Sequence, residues 1–247
     1  MTKSISLSFA LVCLIGCFTP KPAAVPETKQ TYTFDYATTE TVKPGSNGFV
    51  VGLVKPYYAT SFYSGNTELF KNFKKAIGDD VEELVIAKGF SLKGPYETRD
   101  EMIFEDKKRT DMLIQVEMTP AFTAVEGQWK SNWIPIVNVY SYTYSGKASL
   151  VGKITLTGIE PLTNEKIWVK SVSIPNIENI PIATSKKYDR PLDEIAILND
   201  PGVYNALGSA LQQQYRGIME KINAHFSGEE FASLKTQIKE LKAKKGF

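Results

Sequence analysis

Cysteine and histidine are almost missing from this chain of 247 residues, which has two cysteines, Cys13 and Cys17, and one histidine, His225. A multi-histidine metal site and a His/Cys zinc site therefore lack their ligands, and no motif gathers a serine and an acid around the one histidine. His225 stands beside Phe226 near a helix end, where the helix dipole favours a cation. It reads as an end residue rather than a general base. Phosphate loops are missing too, because Gly45, Gly48 and Gly52 precede no Gly-Lys-Ser/Thr. Charge of one sign is scarce: 29 Lys+Arg against 27 Asp+Glu leave +2, which offers nucleic acid no broad basic footprint. Past the N-terminus, no apolar run approaches the roughly 20 residues of a membrane-spanning helix. Neither a repeat nor a cofactor motif is visible.

What is present begins at the N-terminus. Lys3 supplies a positive charge and residues 5–15 an apolar run of signal-peptide length. Leu14-Ile15-Gly16-Cys17 then matches the bacterial lipobox, in which cleavage before a cysteine leaves its thiol lipidated. Residues 1–16 are thus expected to be a lipoprotein signal peptide and Cys17 the lipidation site. An ordinary secretory signal containing cysteines is the alternative. Cleavage there leaves one cysteine, its sulfur occupied by lipid, so the mature chain has no disulfide, thiolate metal site or cysteine nucleophile. Acyl chains such as palmitate contribute about 0.8 kcal/mol per buried CH₂ and make a firm anchor. Phe18, where aspartate would signal inner-membrane retention, points to the outer membrane.

Residues 17–45 are expected to form a tether. In residues 18–31, Pro20, Pro22 and Pro26 favour extended, solvated backbone, and at roughly 3.1 Å per residue that stretch could hold a globule up to about 40 Å from the bilayer. Within the tether, residues 32–44 alternate aromatic and polar side chains and could be a first strand. Residues 46–247 then form one domain of substantial core.

Residues 49–54 (FVVGLV) read as a buried strand. Asn66 can cap a helix whose apolar positions Leu69, Phe70, Phe73, Ile77, Val81, Leu84 and Val85 share a 3.6-residue face, with Gly89 as its C′ glycine. Residues 90–92 and 112–118 read as strands flanking a short helix within 97–109. From 134 to 174 strand signals dominate, separated by turn residues at Ser145-Gly146 and at 161–164, which implies an antiparallel meander. Two helices close the chain: an apolar stripe from Val203 to Phe226, then a Ser227/Glu230 capping box ahead of Phe231, Leu234, Ile238 and Leu241. The fold class is α+β, a strand–helix–strand unit plus an antiparallel meander, with the sheet covered by helices including two C-terminal ones.

Carboxylate pairs occur at Asp79-Asp80, Glu82-Glu83, Asp100-Glu101 and Glu229-Glu230, but adjacent helical residues diverge by about 100° and do not converge on one substrate. Lys107-Lys108-Arg109 is three cations among Glu105, Asp106 and Asp111, a solvated helix end. Hence no catalytic residue, metal or cofactor is assigned. The aromatic residues are more suggestive. Tyr140, Tyr142 and Tyr144 alternate and would project from one strand face, with Trp129 and Trp133 upstream in a loop. These five form the candidate ligand or partner surface, able to stack on sugar rings or meet a protein. Cross-strand packing beneath a helix is the plainer alternative.

Several collinear stretches carry a family likeness: LFKNFKKAIGDDVEELVIAKGF (69–90), residues 104–116, KITLTGIEPLTNEKI (153–167), SALQQQYRGIMEKI (209–222) and KELKAKK (239–245). With the lipobox, they make the chain resemble the neuraminyllactose-binding haemagglutinin family, the HpaA-like outer-membrane lipoproteins. The resemblance implies a surface or flagellar-sheath lipoprotein, discussed as an adhesin for sialylated glycans, with no enzyme activity. One segment departs. Where the family has a basic, serine-rich stretch, this chain has TAVEGQWKSNWIPIVN (123–138), with Lys130 its only cation. A sialic acid carboxylate would be expected to meet arginine, lysine or a backbone nest, so sialic-acid binding is not carried over.

Two functions follow as expectations. The first is an outer-membrane lipoprotein presenting a binding surface, of adhesin or flagellar-sheath type, its partners a glycan or an envelope protein. The second is a periplasm-facing scaffold acting through protein partners. The 231/234/238/241 spacing on the last helix suits either a core helix or a seam for a homodimer.

Overall fold

The computed structural model describes residues 28–39, 41–59 and 63–247. The expected signal peptide and Cys17 lie outside these residues. Six strands form one sheet: β1 (Val50–Val54), β2 (Tyr57–Tyr58), β3 (Ser91–Tyr96), β4 (Met112–Ile134), β5 (Val139–Ile159) and β6 (Lys166–Ala183). Their order is β3-β1-β4-β5-β6, with β2 also on β4. β1 lies parallel to both β3 and β4, whereas β4, β5 and β6 run antiparallel. The helices are α1 (Glu68–Ala87), α2 (Phe104–Arg109), α3 (Glu194–Leu198), α4 (Pro201–Ala224) and α5 (Gly228–Lys244). The expected α+β class and its strand–helix–strand unit plus meander are what is observed.

Helical periodicity located the helices well. All seven apolar positions expected on α1 are buried. Thr67 rather than Asn66 occupies the N-cap position, and Gly89 takes the left-handed φ of 80° that a C′ residue requires. Short α2 ends in Lys107, Lys108 and Arg109, none of them buried, as a solvated helix end should. His225 is the C-cap of α4. Ser227 caps α5 by accepting from the Glu230 N–H at 3.4 Å. The Glu230 carboxylate leaves the expected capping box and instead takes the indole N–H of Trp168 at 3.1 Å and meets Lys170 at 2.8 Å.

α5 is a core helix. Phe231, Leu234 and Ile238 are buried within the chain, and the Phe231 ring lies 4.7 Å from Phe90, 5.1 Å from Phe49 and 5.5 Å from Trp168. Those residues are spent on the chain's own core, so the seam proposed for a homodimer is already occupied.

The meander departs from expectation. β4 does not stop near Met118 but runs 23 residues to Ile134, so Trp129 and Trp133 belong to a strand rather than a loop. Ser145-Gly146 is no turn; it lies inside β5, where Ser145 pairs with Gln128. Gly146 is needed for close approach: a Cβ there would sit 2.5 Å from the Gly127 Cα, at the bulge where Glu126 adopts φ 55°. The hairpin reverses instead at residues 135–138, with Val137 N–H donating to the Ile134 carbonyl at 3.3 Å and Asn138 at φ 50°. The expected turn at 161–164 is present, with Asn164 at φ 62°.

The expected tether also contracts. Residues 28–36 form neither a loose leader nor a strand but an extended strap along α4. Its alternation is as read: Tyr32, Phe34 and Tyr36 face inward, and Phe34 is buried 5.3 Å from both the Phe73 and Tyr215 rings. Its polar partners, however, are α4 side chains rather than a sheet edge. Asn205 Oδ1 accepts from Gln30 N–H at 2.8 Å, Asn205 Nδ2 donates to the Thr28 carbonyl at 2.8 Å, and Gln212 Nε2 donates to the Thr33 carbonyl at 3.0 Å. The packed domain thus includes residues 28–36, ahead of the expected start at 46.

Candidate functional site

The β4–β5 ribbon collects the aromatic residues singled out in the sequence. Trp129 pairs across with Tyr144, Ser131 with Tyr142 and Trp133 with Tyr140. Residues paired in an antiparallel ladder share a face, so both tryptophans and all three tyrosines project from one side. The row is not one open platform. At its base Trp129 and Tyr144 pack at 5.3 Å with an interplanar angle of 59°, and Tyr144 is buried against the core, as the plainer alternative held. Halfway up, Tyr142 forms an isolated antiparallel bridge with Tyr188, its N–H donating to the Tyr188 carbonyl at 2.7 Å. Only the Trp133–Tyr140 pair stands clear.

Other residues at this tip escaped the sequence reading. Trp133 is 55% exposed, Tyr140 57%, Val139 49%, Val137 59% and Ile136 95%. Turn positions favour glycine, asparagine, aspartate and serine; here Pro135 and Asn138 shape the turn, and Ile136 and Val137 fill the rest. The signal was available. Between Lys130 and Lys147 the sequence holds no charged residue, so the exposed end of the ribbon is neutral and apolar.

The segment after β6 borders the ribbon. Asp200, buried, is the N-cap of α4, and its Oδ1 accepts from Gly202 N–H and Ser185 N–H, both at 2.8 Å. Its Oδ2 accepts from the Tyr188 hydroxyl at 2.7 Å. Burial, and then this carboxylate, push the Tyr188 hydroxyl well above the usual tyrosine range. This lock sets exposed Lys186, Lys187 and Arg190 beside the ribbon that carries exposed Lys130.

The remaining polar clusters serve the fold. Asp80 accepts from the buried Tyr215 hydroxyl at 2.5 Å, and burial pushes its carboxyl up to about 6. Fully buried Glu160 accepts from Thr163 N–H at 2.5 Å and lies 3.4 Å from Lys242, which reaches in from α5. A cleft of about 360 Å³ is bordered by Lys55, Lys75, Asp79 and Glu97, but these pair as Lys55–Glu97 and as Lys75–Asp79 at 2.5 Å. Among the described residues no group of three His, Cys, Asp or Glu side chains could hold a metal ion, and no helix is long and apolar enough to cross a membrane.

The architecture is a helix-covered α+β sheet with a long β4–β5 ribbon, and a solved structure shows a similar fold. A neuraminyllactose-binding hemagglutinin homologue from Helicobacter pylori superposes with a TM-score of 0.56 over 85% of this chain and 98% of that one, at 13% identity. A hypothetical protein from Chlamydia trachomatis aligns over 71% of this chain and 95% of its own, with a TM-score of 0.31 and 10% identity. The first likeness is one of fold. No family model matches the sequence, and no curated protein does.

Proposed function

We propose that this chain is a non-catalytic outer-membrane lipoprotein, held by lipid on Cys17, that works by presenting a binding surface of the adhesin or flagellar-sheath type. The observation that carries the reading is the ribbon tip: Trp133, Ile136, Val137 and Tyr140 are exposed together. Apolar and aromatic side chains gathered at a protruding end are what contact surfaces are made of. Two further facts support it. Leu14-Ile15-Gly16-Cys17 has the lipobox pattern, and the Helicobacter protein of similar fold is described as a hemagglutinin homologue. The buried acids Asp80, Asp200 and Glu160 are each engaged in structural contacts, which favours a non-catalytic role.

Radiolabelled palmitate supplied to growing cells should enter the wild-type chain and be absent from Cys17→Ala. An unaltered label in that variant overturns the lipidation. Protease added to intact cells should then cut the chain, and its survival would refute the adhesin reading in favour of a periplasm-facing scaffold.

A further inference from the structure

The geometry points to the β4–β5 ribbon tip as a second foothold on an anionic lipid bilayer, the same bilayer that holds the N-terminal anchor. The inference rests on the proposed function for the anchor and names the bilayer as what the apolar end of that contact surface meets. Four observations converge. The tip is apolar on both faces, with Trp133 and Tyr140 on one and the Ile134–Val139 pair on the other, and Ile136 at its apex is almost fully exposed. Tryptophan and tyrosine flanking an aliphatic apex is the composition that settles at the headgroup level of a membrane. The tip also projects. β6 last pairs with β5 at Ser145–Ala183, the following segment stays beside β5 up to the Tyr142–Tyr188 bridge, and the three residues from there to Val139 span about 10 Å at roughly 3.3 Å each.

Charge supplies the third observation. Below the neutral tip lie the exposed cations Lys130, Lys186, Lys187 and Arg190, accompanied by Asp189. The Tyr142–Tyr188 bridge brings the last three cations to the ribbon. Each cation near an anionic leaflet adds attraction, and a basic collar at the depth of the phosphates suits an apex resting among the acyl chains.

Placement is the fourth. The strap begins at Thr28, hydrogen-bonded to Asn205 in the second turn of α4. Asp200, at the start of that helix, holds Ser185 and Tyr188, and Tyr188 holds Tyr142 of the ribbon. The chain therefore enters the domain at the pole from which the ribbon projects. A bilayer holding the residues before Thr28 faces the tip. Penetration stays shallow, because beyond the Tyr142–Tyr188 bridge the ribbon's outer backbone edges have no strand beside them and hydrocarbon cannot satisfy them.

Lipid-quenching fluorescence tests the foothold on the full chain reconstituted in vesicles with brominated acyl chains. In phosphatidylglycerol-containing vesicles the wild-type emission should be quenched and Trp133→Phe should lose that quenching, leaving Trp129 and Trp168 little affected. Ile136→Asp combined with Val137→Asp should restore Trp133 emission with an unchanged circular dichroism spectrum and weaken binding by about tenfold or more. Phosphatidylcholine vesicles, or Lys186→Glu with Lys187→Glu, should quench several-fold less. The measurements are repeated on Cys17→Ala, so loss of acylation removes the palmitate label while the Trp133 readout still reports on the tip. Equal quenching in wild type and Trp133→Phe overturns the foothold. So does Val137→Cys cross-linking between copies without quenching, which would assign the tip to a second copy of the chain.

Discussion

The Tyr215 hydroxyl donates to Asp80 Oδ2 at 2.5 Å, joining α4 to α1 through a carboxyl that burial pushes up to about 6 from 3.8. Above pH 6 both folded and unfolded chains carry the ionised group, and the folded one carries it against its burial. As pH falls from 6 towards 4 the folded chain takes up the proton first, so this group's contribution to stability rises through that window and levels off below it. Asp80→Asn keeps an acceptor for Tyr215 and removes the charge. The variant should be more stable than wild type at pH 8, by on the order of 1–3 kcal/mol, and the difference should vanish near pH 4. Urea melts at the two pH values check it; a difference independent of pH would show that the carboxyl is not shifted.

Trp168 and Glu230 make a second, separate link, between β6 and α5. Glu230→Ala strands the indole N–H within a largely buried side chain and should cost about 1–3 kcal/mol. Glu230→Gln retains an acceptor and should cost less than half of that, since the half-exposed Lys170 pair contributes little. Equal losses in denaturant melts would place the effect in the ion pair instead.

Helices were the legible part of this sequence. The stripes on α1, α4 and α5 recur at 3.6 residues and each buries against the sheet, so pattern and packing agree. The ribbon was not legible, for a physical reason. Glycine is the usual mark of a turn, yet Gly146 is required by contact with the bulge at Gly127, and the true reversal is built from proline, isoleucine, valine and asparagine. The candidate site was half visible: alternation placed the tyrosines on one face, but burial of Tyr144 and exposure of Tyr140 depend on where the core ends. Lys186, Lys187 and Arg190 reach the ribbon through the Tyr142–Tyr188 bridge and the Thr184–Tyr144 hydrogen bonds, contacts that no local pattern announces. Alternation at 32–36 does put Tyr32, Phe34 and Tyr36 on one side, but that side packs along α4, whose amides take the place of the expected strand partner.

Gly146→Val offers a test of the ribbon. A side chain there meets the Gly127 backbone, which cannot rotate away. The substitution should splay the strands at a cost of about 1–3 kcal/mol and reduce the near-ultraviolet circular dichroism of the stacked Trp129 and Tyr144. An unchanged spectrum and melt would mean that the bulge relaxes freely.

Gly208→Val acts on the strap. A Cβ at Gly208 would lie 2.2 Å from the Tyr32 ring, so the ring must leave. Amides of residues 30–36 should exchange hydrogen at least about tenfold faster while α5 is unaffected, in keeping with local opening rather than global unfolding. Protection unchanged at Gln30, whose N–H donates to Asn205 Oδ1, would contradict that docking.

The strap has a mechanical meaning as well. It lies alongside α4 in the same direction as the helix, from Asn205 near Gln30 to Asn223 at Tyr36. A pull on Thr28 away from the domain is directed along the strap, so Tyr32, Phe34 and Tyr36 are loaded in shear together rather than peeled off in turn. Tension applied at Thr28 would pass directly into α4, and the aromatic side chains would act as the rivets of the joint.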